Sequence, residues 1–281
     1  LFPYTTLFRS EGAKVEFQKA IEYMPENVNG HLGIGLVEKQ LGNVKASIAA
    51  FEKARDVAPG NVHALDGLAS SLAAYGDFER ASKLLHEVLT IDPNDKFALA
   101  GVPAIEKAAA RAVKLPDVAS GKLSPESPTE AIEFARLASK PAHGRIRLAA
   151  RLIETAITSS PDLVKDVRAG YRYDGACYAA KAAAIPDTTE GGTLPDQPER
   201  RRLRGLALQW LKEDLDAMKI PGLDTATKIA YRERLEQSLH DSDLQSLRSG
   251  ADRSDWTAEE VSSWDAYWAE VTNTAAALAT P

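Results

Sequence analysis

Cysteine is almost missing from this chain: Cys177 is the single one in 281 residues. An internal disulfide is excluded and no thiol cluster is available for zinc, which points to a reducing, cytoplasmic setting. Long apolar runs are missing as well, and no stretch approaches the ~20 residues that a membrane helix needs. Positive charge is in deficit. With 34 Lys and Arg against 40 Asp and Glu, the formal net charge is −6, which argues against a protein that displaces counterions from nucleic-acid phosphate. Aromatics are scarce, at 7%. What fills the chain is Ala, Leu, Glu, Lys and Arg, a helix-forming mixture. The expected fold class is all-α.

A period of 34 residues runs through the first part of the chain. It relates Pro25, Pro59 and Pro93, the glycines Gly42 and Gly76, the large residues Phe17, Phe51 and Leu85, and the smaller Ala20, Ala54 and Val88. In "GNVKASIAAFEKARDVAPGN" the apolar Ile48, Phe51, Ala54 and Val57 recur every third residue and make one buried stripe before Pro59 ends the helix. Gly42 and Gly76 fall where two antiparallel helices must turn, a place where glycine takes positive φ without a steric cost. Small residues at 33, 35, 67 and 69 let the neighbouring helix approach closely. Each unit reads as a helical hairpin.

These residues resemble the tetratricopeptide repeat. "GHLGIGLVEKQLGNVKASIAAFEKARDVAPGN" and "HALDGLASSLAAYGDFERASKLLHEVLTIDPND" follow its pattern almost throughout, with Ser47 standing where the family prefers Ala and His31 where it prefers a large aromatic. The resemblance implies an α-solenoid of stacked hairpins. It also implies a concave surface lined by the first helix of each hairpin, which takes a peptide or protein ligand. By correspondence the groove residues are Asn29, Leu32, Leu36, Lys39 and Gln40 in one unit and His63, Asp66, Ser70 and Ala73 in the next. The Lys and Asn clamp that some relatives use on a C-terminal carboxylate is not present.

The expected layout is a truncated repeat at 11–27, repeats at 28–61 and 62–95, and a degenerate helix at 96–112 with a kink or break at Pro103. A linker at 113–127 and a divergent helical region at 128–281 follow. The opening "LFPYTTLFRS" matches, residue for residue, the in-frame translation of a common sequencing adapter. It is expected to be foreign, standing where an earlier first helix would continue. Val15, Phe17, Ile21 and Met24 would then be exposed.

In the second half, Ser127, Pro128 and Glu130 look like a helix start. Gly144, Ala149, Ile153, Ala156 and Pro161 repeat the earlier offsets of turn, small, large, small and stop. Further helices are expected over 163–184, 198–217 and 227–248. A last one should be opened by a capping box at Thr257 and Glu260 and should carry a stripe of Val261, Trp264, Tyr267, Trp268 and Val271, packed inward as a cap. The words "AGYRYDGACYAAKAAA", "ERRRLRGLALQWLKEDLDA" and "SSWDAYWAEV" look like the C-terminal tail of bacterial serine/threonine protein kinases that carry such repeats. That resemblance implies a parent polypeptide with an upstream kinase domain, for which this region would be a regulatory or substrate-recruiting tail.

No catalytic chemistry is expected in this chain. It lacks the His-Arg-Asp catalytic loop, the Asp-Phe-Gly and the strand lysine of a kinase. "GHLGIG" has the glycines of a phosphate loop but no strand before it. The five histidines show no metal-ligand spacing, Cys177 has no base near it in sequence, and "ERRRLR" reads as a solvated basic face. The stretch 185–197 offers no convergent acid, base and nucleophile. A non-catalytic interaction scaffold, without cofactor or metal, is the function expected.

Overall fold

A computed structural model describes residues 4–187, 189 and 192–279, with side chains from Gly12 onward. Residues 1–3 of the adapter-like decapeptide lie outside the described residues. Among the described residues all regular structure is helical. None of the described helices is long and apolar enough to cross a membrane. Two compact units divide the chain: residues 5–117 with 140–143, and residues 118–139 with 144 onward.

The first unit is built from α1 (Tyr4–Tyr23), α2 (Val28–Gln40), α3 (Val44–Val57), α4 (Val62–Tyr75), α5 (Phe78–Ile91) and most of α6 (Lys96–Ala119). Consecutive helices pack as hairpins, α2 on α3 and α4 on α5, and α3 packs in turn on α4. Asn27, Asn61 and Asp77 start α2, α4 and α5 by accepting from the backbone N–H three residues on, which satisfies a donor that a helix leaves open. Gly42 and Gly76 turn the chain at φ +77° and +109°.

The period has a direct packing cause. Phe51 is buried with its ring between two helices, and a Cβ added at Gly35 of its own hairpin would lie 2.8 Å from that ring. One added at Gly67 of the next first helix would lie 2.3 Å away. Phe17 meets Gly33, and Leu85 meets Gly101, in the same manner. The second helix of each hairpin thus drives one large side chain into gaps left by glycine. Leu65, Leu68, Leu72, Ala81, Leu84 and Val88 close the core around Phe51.

Two expectations change. Phe17 and Ile21 are half-buried against α2, where Ile21 lies over Gly30, so only Val15 and Met24 of that set are exposed. The backbone of residues 4–10 belongs to α1. Finally, α6 is neither stopped at Pro103 nor finished by 112: both Pro103 and Pro116 lie inside it. Each proline removes a single backbone donor, and the Ala-rich sequence around them propagates the helix. The non-helical part of the linker is 120–127.

The second unit contains α7 (Pro128–Ala138), α8 (Ile146–Ser159), α9 (Tyr171–Ala184), α10 (Gln197–Ala217), α11 (Thr225–Ser238) and α12 (Ala258–Leu278). Ser127 caps α7 as expected, although Glu130 reaches back to the N–H of Glu126 rather than to the cap itself. Gly144 has φ +61°, and Ala149, Ile153 and Ala156 of α8 are buried. The stretch 163–170 is not α-helix. Pro161–Val164 and Val167–Ala169 are 3-10 turns, and α9 begins after Gly170 at φ +74°. Likewise α11 ends at Ser238, and Ser242–Leu247 is a 3-10 segment started by Asp241. Small residues along α9 allow α8 and α10 to close on it, with Trp210 against Gly175. The capping box of α12 is formed in both directions. Trp264, Tyr267 and Val271 are buried, while Trp268 donates its indole N–H to the Leu247 carbonyl at 2.9 Å.

Candidate functional site

Helices α2 and α4 each turn one face to their second helices and leave another open. On α2, burial falls on Gly33, Gly35 and Val37, while Asn29, Leu36, Lys39 and Gln40 are exposed and Leu32 is half-buried. On α4, His63 is exposed and Asp66, Ser70 and Ala73 are half-buried. The two rows meet: Lys39 Nζ donates to Ser70 Oγ. Leu36 keeps 55% of its surface in solvent, an apolar side chain on an otherwise polar rim.

Asp66 is the electrostatically unusual member. Its Oδ1 is buried without a hydrogen-bond partner. Burial first, and then the charge of Asp95, raise its pKa from 3.8 to about 6, against a smaller opposing pull from His63. The folded pKa lies above the unfolded one, so the folded chain holds this proton more tightly. The contribution of this group to stability is fully present below the unfolded value and is lost as pH rises through about 6.

Sequence reasoning missed Phe97. It lies on α6, 34 residues after His63 and 68 after Asn29, and is 48% exposed. The period alone carries the signal for it.

Residues 39–102 match the family model described as tetratricopeptide repeat. That segment carries tetratricopeptide repeats. Over 110 residues the chain is 32% identical to Protein CTR9 homolog of Arabidopsis thaliana. The match covers 35% of this chain and spans a tenth of that relative's length. Among solved structures, YrrB, described as a TPR protein with an unusual peptide-binding site, is 15% identical at a TM-score of 0.32, with 72% of this chain and 91% of YrrB covered. Yeast Tom70 is 15% identical at a TM-score of 0.35, with 96% of this chain and 60% of that chain covered.

Both departures from the repeat pattern are accommodated. Ser47 is buried, but its hydroxyl lies 2.8 Å from the Gly35 carbonyl and 2.9 Å from Ser71 Oγ, and Ser71 bonds the Gly67 carbonyl. The ring of His31 bonds the Pro25 carbonyl at 2.9 Å. The glycines of "GHLGIG" lie in repeat helix α2, under Ile21, Phe17 and Phe51.

In the second unit the fold gathers Cys177, Asp241 and Asp243 within 4.8 Å of one another. Both carboxylates are already committed. Asp241 accepts from the Tyr173 hydroxyl at 2.7 Å and from the Asp243 N–H at 2.8 Å, and Asp243 pairs with Lys181 at 2.9 Å. Burial, followed by these acids, pushes the Cys177 thiol well up, so it stays protonated.

The basic run is not a uniformly solvated face. Arg204 is buried, paired with Glu260 at 2.9 Å and Asp255 at 3.3 Å, and lies over the Trp256 ring. Arg200 pairs with Asp255 as well, while Arg202 bridges Glu154 and Glu199 near the surface. These arginines serve the unit's own packing, because a buried guanidinium requires a carboxylate close by.

Proposed function

We propose that the chain is a non-catalytic interaction scaffold whose first unit binds a peptide or protein along α2 and α4. The observation that carries this is the pair of open rows joined by Lys39 and Ser70, with exposed Leu36 as an apolar contact and Asp66 holding an unpartnered buried oxygen. A preformed row of this kind binds with little ordering cost on the scaffold side. The partner's cation would neutralise Asp66, relieving the penalty that burial imposes on its charge. The proposed groove set is Asn29, Leu32, Leu36, Lys39, Gln40, His63, Asp66, Ser70 and Ala73, to which Phe97 is added.

Peptides selected on the whole chain by display would be titrated against it and against Leu36→Asp and Asp66→Lys. Each substitution is expected to weaken binding at least tenfold. Unchanged affinity in both variants contradicts the groove.

A second reading rests on the quoted kinase-tail words in 128–279. In it, the chain is the cytoplasmic recruiting tail of a serine/threonine kinase. Recovering the parent gene upstream of Glu11 tests it: a catalytic domain supports the reading, and further repeats alone refute it.

A further inference from the structure

A second groove lies away from the rows just described, between α5 and α6. It encloses about 660 Å³. Ser82 and His86 of α5 form one wall, Ala109, Ala110 and Val113 of α6 form the other, and Phe78 lies at one end. Its place in the repeat identifies it. Shifted back by 34 residues, the α5 wall becomes Ile48 and Glu52 of α3, and the α6 wall becomes Tyr75 and Gly76, where α4 ends. That earlier position is filled, and its occupant is α5. Arg80 donates to Glu52 at 2.7 Å, and Ala81, Leu84, Leu85 and Val88 are buried.

The chain fills the earlier seat because it turns at Gly42 and Gly76. The third position of that series is Ala110, where α6 runs straight on. Val113 is left 79% exposed, and residues 140–143 close only the Gly76 end, where the Ala142 N–H donates to the Tyr75 carbonyl at 2.9 Å and His143 stacks on Phe78. The inter-helix surface that joins α3 and α4 to α5 thus continues onto α5 and α6 without a helix upon it.

We infer that this groove seats an amphipathic helix supplied by another protein, lying as α5 lies on α3 and α4. Its apolar stripe would run at i, i+3, i+4 and i+7 over Val113, Ala110 and Ala109. The charges at the rim are already paired, Lys83 with Glu79 and His86 with Glu106, so apolar fit selects the occupant. A second copy of this chain offers no free equivalent, because its α5 stripe is buried in its own core.

The probe is a fluorescein-labelled synthetic peptide of residues 77–92, the α5 sequence itself, titrated against the full chain by anisotropy. Saturable binding is expected. It should weaken at least tenfold in Val113→Asp and in Ala110→Arg, both at exposed positions that leave helix content by circular dichroism unchanged, and it should be unaffected by Leu36→Asp. Three results would each overturn the inference: no saturable binding, equal binding in both groove variants, or self-association of the chain that Val113→Asp abolishes. The concave-row reading is untouched by any of them.

Discussion

Phe51 shows how one side chain sets the spacing of helices. Its ring fills the room that Gly35 and Gly67 leave, so glycine at 67 is a packing requirement within a helix that would otherwise favour alanine by about 1 kcal/mol. A methyl at 67 would lie 2.3 Å from a ring that is backed by Gly35 on its other side. Overpacking of this kind costs about 1–3 kcal/mol. The overlap offsets or exceeds the propensity gain, and Gly67→Ala should destabilise the chain by up to about 2 kcal/mol in urea titration. Gly205→Ala, in α10 with nothing within 4 Å of its Cβ, should stabilise it by up to about 1 kcal/mol. Equal stabilisation by both would remove the wedge.

The 34-residue spacing of Phe17, Phe51 and Leu85, and the small residues opposite them, were legible in the sequence because both belong to one periodic pattern. The burial of Arg204 was not. Its partners Asp255 and Glu260 stand 51 and 56 residues away, and no local pattern announces a contact at that separation.

At the scale of elements, the starts of helices were readable wherever the cap is local, as at Ser127 and Thr257. Helix α8 is different. Arg145 at its cap position makes no side-chain cap bond, and Asp187, 40 residues on, supplies an oxygen to the Arg147 N–H at 3.1 Å. The same carboxylate accepts from the Thr189 N–H and hydroxyl. Asp187 is almost fully buried, so its removal leaves polar groups without a partner, at about 1–3 kcal/mol. Asp187→Ala should lower stability to urea by that amount. Asp187→Asn, which keeps an acceptor, should lose less than half as much. An Ala variant as stable as the parent would show that the cap contributes nothing. The extent of α6 was misread for a related reason: Pro103 and Pro116 carry strong breaking signals locally, and the alanines between them carry weaker ones that act together.

At the scale of the whole molecule, legibility follows repetition. The 34-residue period describes the first unit through Ala98 and loses its turn at Ala110, where glycine is replaced. In the second unit the offsets hold for α7 and α8, and then Pro161, Asp166 and Asp241 introduce 3-10 segments that no period foresees. The proposed groove positions follow from the repeat, but the state of Asp66 does not, since its raised pKa comes first from burial and then from Asp95 at the next helix start.

The central claim is that the free faces of α2 and α4 are the binding surface. Hydrogen–deuterium exchange of the full chain with and without a display-selected peptide tests it most directly. Slowed exchange concentrated in residues 28–40 and 62–75 is the expected result, whereas protection confined to 128–279 would contradict it.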